Sequence, residues 1–245
     1  MPDVLKADDL DLSGDQRART SHLPPQHGAP LPAVDPAATP DELRPHSVWL
    51  TELLHAFVEQ RRLAREAAPA EPQGAGKGAR LPAATDREGW EAAVWPAATR
   101  RPSARLRPTA ENLAQLQPQH VATVLALLVS CAGARVWPAG VEGAAPAPAP
   151  EPEPEPGCGA APPALCFSRP CCCWLYGLLS HLDAVVAQQP STASDLRLLF
   201  RLAVLERSRL PPAAPASRQA AAPINVLIGL LSGFFKVGDD LQGFV

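Results

Sequence analysis

Three consecutive thiols, Cys171, Cys172 and Cys173, with Cys131, Cys158 and Cys166 elsewhere, are the first place to look for chemistry in this chain. Thiolates bind zinc when C-x2-C pairs face one another or a histidine completes the set, and neither spacing occurs here. The pattern is no secreted disulfide framework either, because such cysteines are spaced to bridge separate loops. The cysteines read as small buried hydrophobes in a reducing compartment. Gly74-Ala75-Gly76-Lys77-Gly78 resembles a phosphate loop, but Glu71 stands where the first glycine belongs and Gly78 where a hydroxyl should follow the lysine. Ser232, in Gly229-Leu230-Leu231-Ser232-Gly233, lacks the G-x-S-x-G spacing of a nucleophile elbow. The six histidines are scattered, and the carboxylates gather in the amino-terminal tail and in Glu-Pro repeats, where no rigid frame sets their separation. The expectation is a protein without catalytic machinery, cofactor or metal.

The elements that could position functional groups are helices. Of 245 residues, 30 are proline, largely gathered into Ala/Pro tracts, so the foldable part amounts to one modest domain. Residues 1–40, acidic at first and then rich in Pro, Ala and His, bury too little apolar area to offset their ordering entropy and should be disordered. Thr39-Pro40-Asp41-Glu42 reads as a capping box, with a helix starting there or just after Pro45. Within 41–68 the residues Trp49, Leu50, Leu53, Leu54, Phe57 and Val58 recur at helical spacing, and Arg61, Arg62 and Arg65 fall among the solvent positions. Residues 69–84 form a Gly/Ala/Pro linker.

Residues 85–245 should then fold as a helical domain. Thr85-Asp86-Arg87-Glu88 is a second capping box, opening a short helix with Trp90, Val94 and Trp95. Thr109 can cap another short helix; Pro118 should begin the next, which stops at Gly133. A low-complexity insertion, 139–164, follows and should be disordered. Pro170 starts a helix through Trp174, Leu175, Leu178 and Val186, ending before Pro190. Ser191 or Ser194 caps the next, up to Pro211, and a last helix runs from Pro223 to Val237 with Gly238 as its C-cap. No convincing alternating strand appears. The fold class is all-α: a small helical bundle in which the helices bearing Val124, Trp174, Leu199 and Leu227 pack together.

Charge and hydropathy narrow the partners. A net charge of −3 gives no electrostatic footprint for direct nucleic-acid binding, and Arg100, Arg101, Arg105 and Arg107 form the only basic cluster. The apolar runs 121–133 and 226–235 fall short of the roughly 20 residues of a membrane span. The amino terminus has no basic segment before an apolar run, so it is not a signal peptide, and the chain should be intracellular. What remains is an adaptor whose apolar surface exceeds the needs of a small core. Trp174 and Tyr176, at i and i+2, cannot share one helical face, so one of them should leave the core stripe.

Several segments, in order, resemble the SMN-interacting protein family, that of the second Gemin protein in the survival of motor neuron (SMN) complex. They are Met1-Pro2-Asp3-Val4, Asp86-Arg87-Glu88-Gly89-Trp90, Asn112 to Gly133, Trp174-Leu175-Tyr176 with Leu179 and Leu182, Leu196 to Arg209, and Ile224-Asn225-Val226-Leu227-Ile228 through Phe235. The resemblance departs in the Glu-Pro insertion and in lacking, before Met1, the family's Phe-Asp-Pro turn and Tyr-Leu-Arg-Arg helix. It implies a non-enzymatic, cytoplasmic and nuclear assembly factor that holds SMN and Sm proteins while spliceosomal Sm cores form. An SMN helix would lie on a seam of Trp174, Leu175, Tyr176, Leu178, Asn225, Leu227 and Phe235. The Sm ring would contact Trp49, Leu53 and Phe57. The alternative is an unrelated helical scaffold that binds some other amphipathic helix.

Because residues 139–164 offer no apolar face, and loop length carries only a small entropic cost, their replacement by a short Gly/Ser linker should leave folding and partner binding intact. Thermal denaturation and a peptide pull-down check this; loss of either would contradict it.

Overall fold

Proline stands in the first turn of several of the described helices, where its missing N–H is an orphan donor in any case. Pro118 opens a helix after the N-cap Gln117, Pro170 lies in the first turn after Ser168, and Pro190 opens one after Gln189. The computed structural model describes residues 43–66, 80–95, 106–137, 165–211 and 215–237. All belong to one compact unit of the chain, Pro32–Val245. The tail 1–40, the box at Thr39, the glycines at 74–78, Arg100, Arg101, Arg105, Cys158, the insertion 139–164 and Gly238 lie outside the described residues.

Among the described residues there are eight helices and no strand. They are α1 (Ser47–Glu66), α2 (Arg87–Val94), α3 (Ala110–Leu113), α4 (Pro118–Val136), α5 (Arg169–His181), α6 (Ala184–Ala187), α7 (Pro190–Ser208) and α8 (Pro215–Gly233). Helix α7 packs against both α4 and α8, while α1 covers α5 and α8. Val124, Trp174, Leu199 and Leu227 are all buried at the centre of this arrangement. Trp90 of α2 meets Trp174 edge-to-face, with centroids 5.3 Å apart, and its indole N–H donates to the Ala83 carbonyl.

Several boundaries differ from the expectation, each for a local reason. Asp86, not Thr85, is the N-cap of α2, its carboxylate accepting from Gly89 N at 3.0 Å. Helix α4 does not stop at Gly133 but runs to Val136, since Gly133 is buried and a glycine without a need for positive φ does not end a helix. At 19 residues α4 is long and apolar enough to cross a membrane, contrary to the length inferred from 121–133 alone. Its buried Val121, Val124, Leu125 and Leu128 instead form part of the core shared with α7. The helix begun at Pro170 breaks at Leu182, whose ψ of 121° is extended, and Asp183 caps a new turn by accepting from Val185 N. Pro190 begins α7 rather than ending the preceding helix, so Ser191 and Ser194 lie inside it. Helix α8 starts at Pro215, with Pro223 in its interior, and closes where Lys236 adopts a φ of 55°.

The contact of α1 with α8 depends on two glycines one turn apart. A Cβ at Gly229 would come within 2.7 Å of Leu50 Cδ1 and 3.2 Å of Leu53 Cδ2, and one at Gly233 within 2.8 Å of Leu54 Cδ1. These leucines therefore rest on bare backbone.

Leu199→Asp would put an unpaired carboxylate where α4, α7 and α8 converge, and should lose more than about 4 kcal/mol. That is most of the stability of an ordinary domain, about 5–15 kcal/mol. Far-ultraviolet circular dichroism on heating would show it; an unchanged transition would contradict this packing.

Candidate partner-binding site

The last three turns of α1 carry the residues that organise the candidate surface. Phe57 is fully buried and forms edge-to-face contacts with three rings: Tyr176 at 5.4 Å, Phe234 at 5.1 Å and Phe235 at 6.3 Å. Phe234 and Phe235 meet each other at 5.0 Å. Those three outer rings are half-buried, so they form an aromatic lip over Phe57 at the junction of α1, α5 and the end of α8. Burial raises the pKa of the Tyr176 hydroxyl, which keeps it neutral as a donor or acceptor near physiological pH.

Beneath the lip sits Arg61, expected in solvent but only 5% exposed. It donates from Nη1 to the Leu179 carbonyl at 2.6 Å and from Nη2 to the Leu182 carbonyl at 2.7 Å. Both carbonyls belong to the end of α5, where helical partners run out. Its guanidinium lies 5.0 Å from the Phe234 centroid and 5.8 Å from that of Phe57. Burial lowers its pKa, with Arg65 adding to the effect and Asp183 opposing it. The signal was present in the sequence: Arg61 follows Phe57 by four residues on the Leu50–Leu54–Phe57 stripe. Its partners are backbone groups, which composition cannot show.

Two further long side chains tie other chain segments to α7. Glu206 accepts from Cys166 N at 2.5 Å and Phe167 N at 2.7 Å, just before α5 begins. Burial raises its pKa; those two backbone hydrogen bonds and Arg209 act in the opposite direction. Arg209 donates to the Val136 carbonyl at the end of α4. Neither residue was singled out from the sequence.

The residues named for the SMN seam divide into two groups. Trp174, Leu175, Leu178 and Leu227 are core, and Asn225 is buried, its amide holding the Leu43 carbonyl. Tyr176 and Phe235 lie half-open on the lip, so Trp174 keeps the core stripe and Tyr176 leaves it. Of the residues named for the Sm ring, Trp49 is exposed, Leu53 faces Gly229, and Phe57 has no surface of its own. Phe57 touches Tyr176 and Phe235, so the structure joins residues that the sequence assigned to two surfaces.

The four buried thiols among the described residues show no activation. Burial pushes Cys131 and Cys166 up to about 12 and holds Cys171 and Cys172 well above the ordinary value, while Cys173 is exposed. Among the described residues no group of His, Cys, Asp or Glu is arranged to hold a metal ion. The open cleft beside the start of α4 is lined by Arg80, Leu81, Pro82, Gln115, Leu116 and His120, and has no thiol or carboxylate to partner the imidazole.

The described residues thus form a helical bundle with an aromatic lip above a buried cation. The sequence profile of the family described as "Survival motor neuron (SMN) interacting protein 1 (SIP1)" matches residues 1–238. The chain belongs to this family. A chain in the solved structure of "The 8S snRNP Assembly Intermediate" shares its fold, with a TM-score of 0.55 and 19% identity over 94% of both chains. No curated protein sequence matches it.

Arg61→Met should cost about 2–4 kcal/mol, because the Leu179 and Leu182 carbonyls would each lose a buried donor. Hydrogen exchange should quicken in the last turn of α5 before it changes in α4. Uniform quickening, or none, would contradict the role given to Arg61.

Proposed function

We propose that this protein is a non-catalytic assembly factor of the SMN complex, holding SMN and Sm proteins together while the Sm core of spliceosomal snRNPs forms. Membership of the SMN-interacting family supports the reading, and the fold shared with a chain of an snRNP assembly intermediate agrees with it. The observation that carries it is the lip of Tyr176, Phe234 and Phe235, half-open above the buried Phe57 and Arg61. An amphipathic helix is recognised through apolar anchors that enter such a groove, and aromatic groups at its centre dominate the binding energy. SMN is the partner assigned to the lip. The Sm proteins are assigned to the outer face of α1, where Val48, Trp49 and Val58 stand exposed. Work in cytoplasm and nucleus follows from the same reading, and it needs no direct contact with RNA.

Because α1 covers α5 and α8, removing it would open the core, so single substitutions separate the partners more cleanly than truncation. Tyr176→Ala should weaken binding of an SMN amino-terminal peptide by about tenfold or more, the effect expected for a central aromatic anchor. Trp49→Ala should leave that affinity unchanged and reduce retention of purified Sm proteins. Titration of the peptide by fluorescence anisotropy and pull-down of Sm proteins measure the two separately. Wild-type protein that binds neither partner would refute the assignment, and equal losses from both substitutions would refute the division of surfaces.

A further inference from the structure

Helix α1 turns Phe57 and Arg61 into the bundle, and its outer flank carries a second pattern. Along that flank Trp49, Leu53, Ala56, Gln60 and Leu63 follow one another at alternating steps of four and three residues. A helix that repeats its contact positions in this way presents them as one stripe to a second helix lying along it. Trp49 is 37% exposed and Leu63 47%, and Ala56 and Gln60 are open to solvent as well. Leu53 is half-buried where it faces Gly229, so the stripe adjoins the contact of α1 with α8.

The positions beside the stripe differ on its two sides. On one side lie Leu50, Phe57 and Ala64, which turn toward the bundle; Phe57 is buried and the other two are half-buried. On the other side lie Glu52, Glu59 and Glu66, seven residues apart and all exposed. Arg62 pairs with Glu59 and with Glu66, which leaves three carboxylates to one cation and the row with an excess of negative charge. Residues that flank the stripe of paired helices select the partner by charge. A second copy of this chain laid antiparallel would oppose glutamate to glutamate, which is unfavourable. One laid parallel would set its glutamates against the apolar edge of the bundle, where they lose water without gaining a counter-charge.

We propose that the Trp49–Leu63 stripe of α1 is a docking surface for an amphipathic helix of a partner protein, one with an apolar row and lysines or arginines beside it. Gln60, the one polar residue in the stripe, sets the register by favouring a polar side chain opposite it. Trp49 also belongs to the face assigned above to Sm proteins, but the stripe and its acidic row stand whether or not that assignment does.

The test uses the full-length chain and three synthetic fluorescein-labelled peptides, titrated by fluorescence anisotropy. One carries leucine at the heptad contact positions and lysine at both flanks; the second has glutamate in place of lysine; the third is the lysine peptide with its order scrambled. Like charges on both flanks keep the first two from pairing with themselves. The lysine heptad peptide should bind about tenfold or more tightly than either of the others, and less tightly as salt rises. Leu63→Gln should remove that advantage over the scrambled peptide, and Glu52→Lys/Glu59→Lys should reverse the preference in favour of the glutamate peptide. All three substituted residues are exposed, so circular dichroism should be unchanged. Equal binding of the heptad and scrambled peptides, or a preference that neither variant alters, overturns the proposal. A dimer seen by sedimentation equilibrium that Leu63→Gln dissociates would give the stripe to a second copy and overturn it as well.

Discussion

Peptide groups at a helix end have no partner within the helix, and when that end is buried a side chain from elsewhere must supply one. Here Arg61 supplies it for the end of α5, and much of the candidate surface depends on that choice. The guanidinium that takes the Leu179 and Leu182 carbonyls also lies beneath Phe57 and Phe234. Three rings then gather around Phe57, one from α5 and two from the turn that follows α8. Without the cation, α5 would end in two unsatisfied buried acceptors and the floor of the lip would lose its polar anchor.

Helix α1 can bring Arg61 so deep because α8 lets it approach. The absent side chains at Gly229 and Gly233 leave room for Leu50, Leu53 and Leu54. The separation of the two helices is therefore set by missing atoms. The position of Phe57, one turn beyond Leu53, follows from it. Local helix geometry, close packing and the shape of the binding surface are in this way parts of a single constraint. The surface pairs of Arg62 with Glu59 and Glu66 contribute far less, since all three side chains are more than half exposed and such pairs are screened by solvent.

Features decided by local chemistry were legible in the sequence. Thr109 caps α3 by accepting from Asn112 N, Pro118 opens α4, and the stripes through Val124, Trp174, Leu199 and Leu227 form the core. Where a tertiary contact competes with a local signal, the sequence pointed elsewhere. Helix α5 should have continued through Leu182 to Val186, but Arg61 and the Asp183 cap make the break affordable. Pro223 was expected to open α8; the preceding turns hold because Ser217 and Ala221 are buried against the bundle. Of the candidate surface, Tyr176 and Phe235 were legible as aromatics near the core's edge. Arg61 carried a signal in its place on the Leu50–Leu54–Phe57 stripe, but the partners of Arg61, Glu206 and Arg209 were not legible, because they are backbone groups distant in sequence.

Glu206 and Arg209 lie one turn apart on α7 and hold the chain on either side of residues 138–164, one at Cys166 and Phe167, the other at Val136. The fold makes its demands at those two anchor points. The end of α4 and the start of α5 are thus set side by side by a single turn of α7, so their relative placement is referred to that helix rather than to the covalent thread between them.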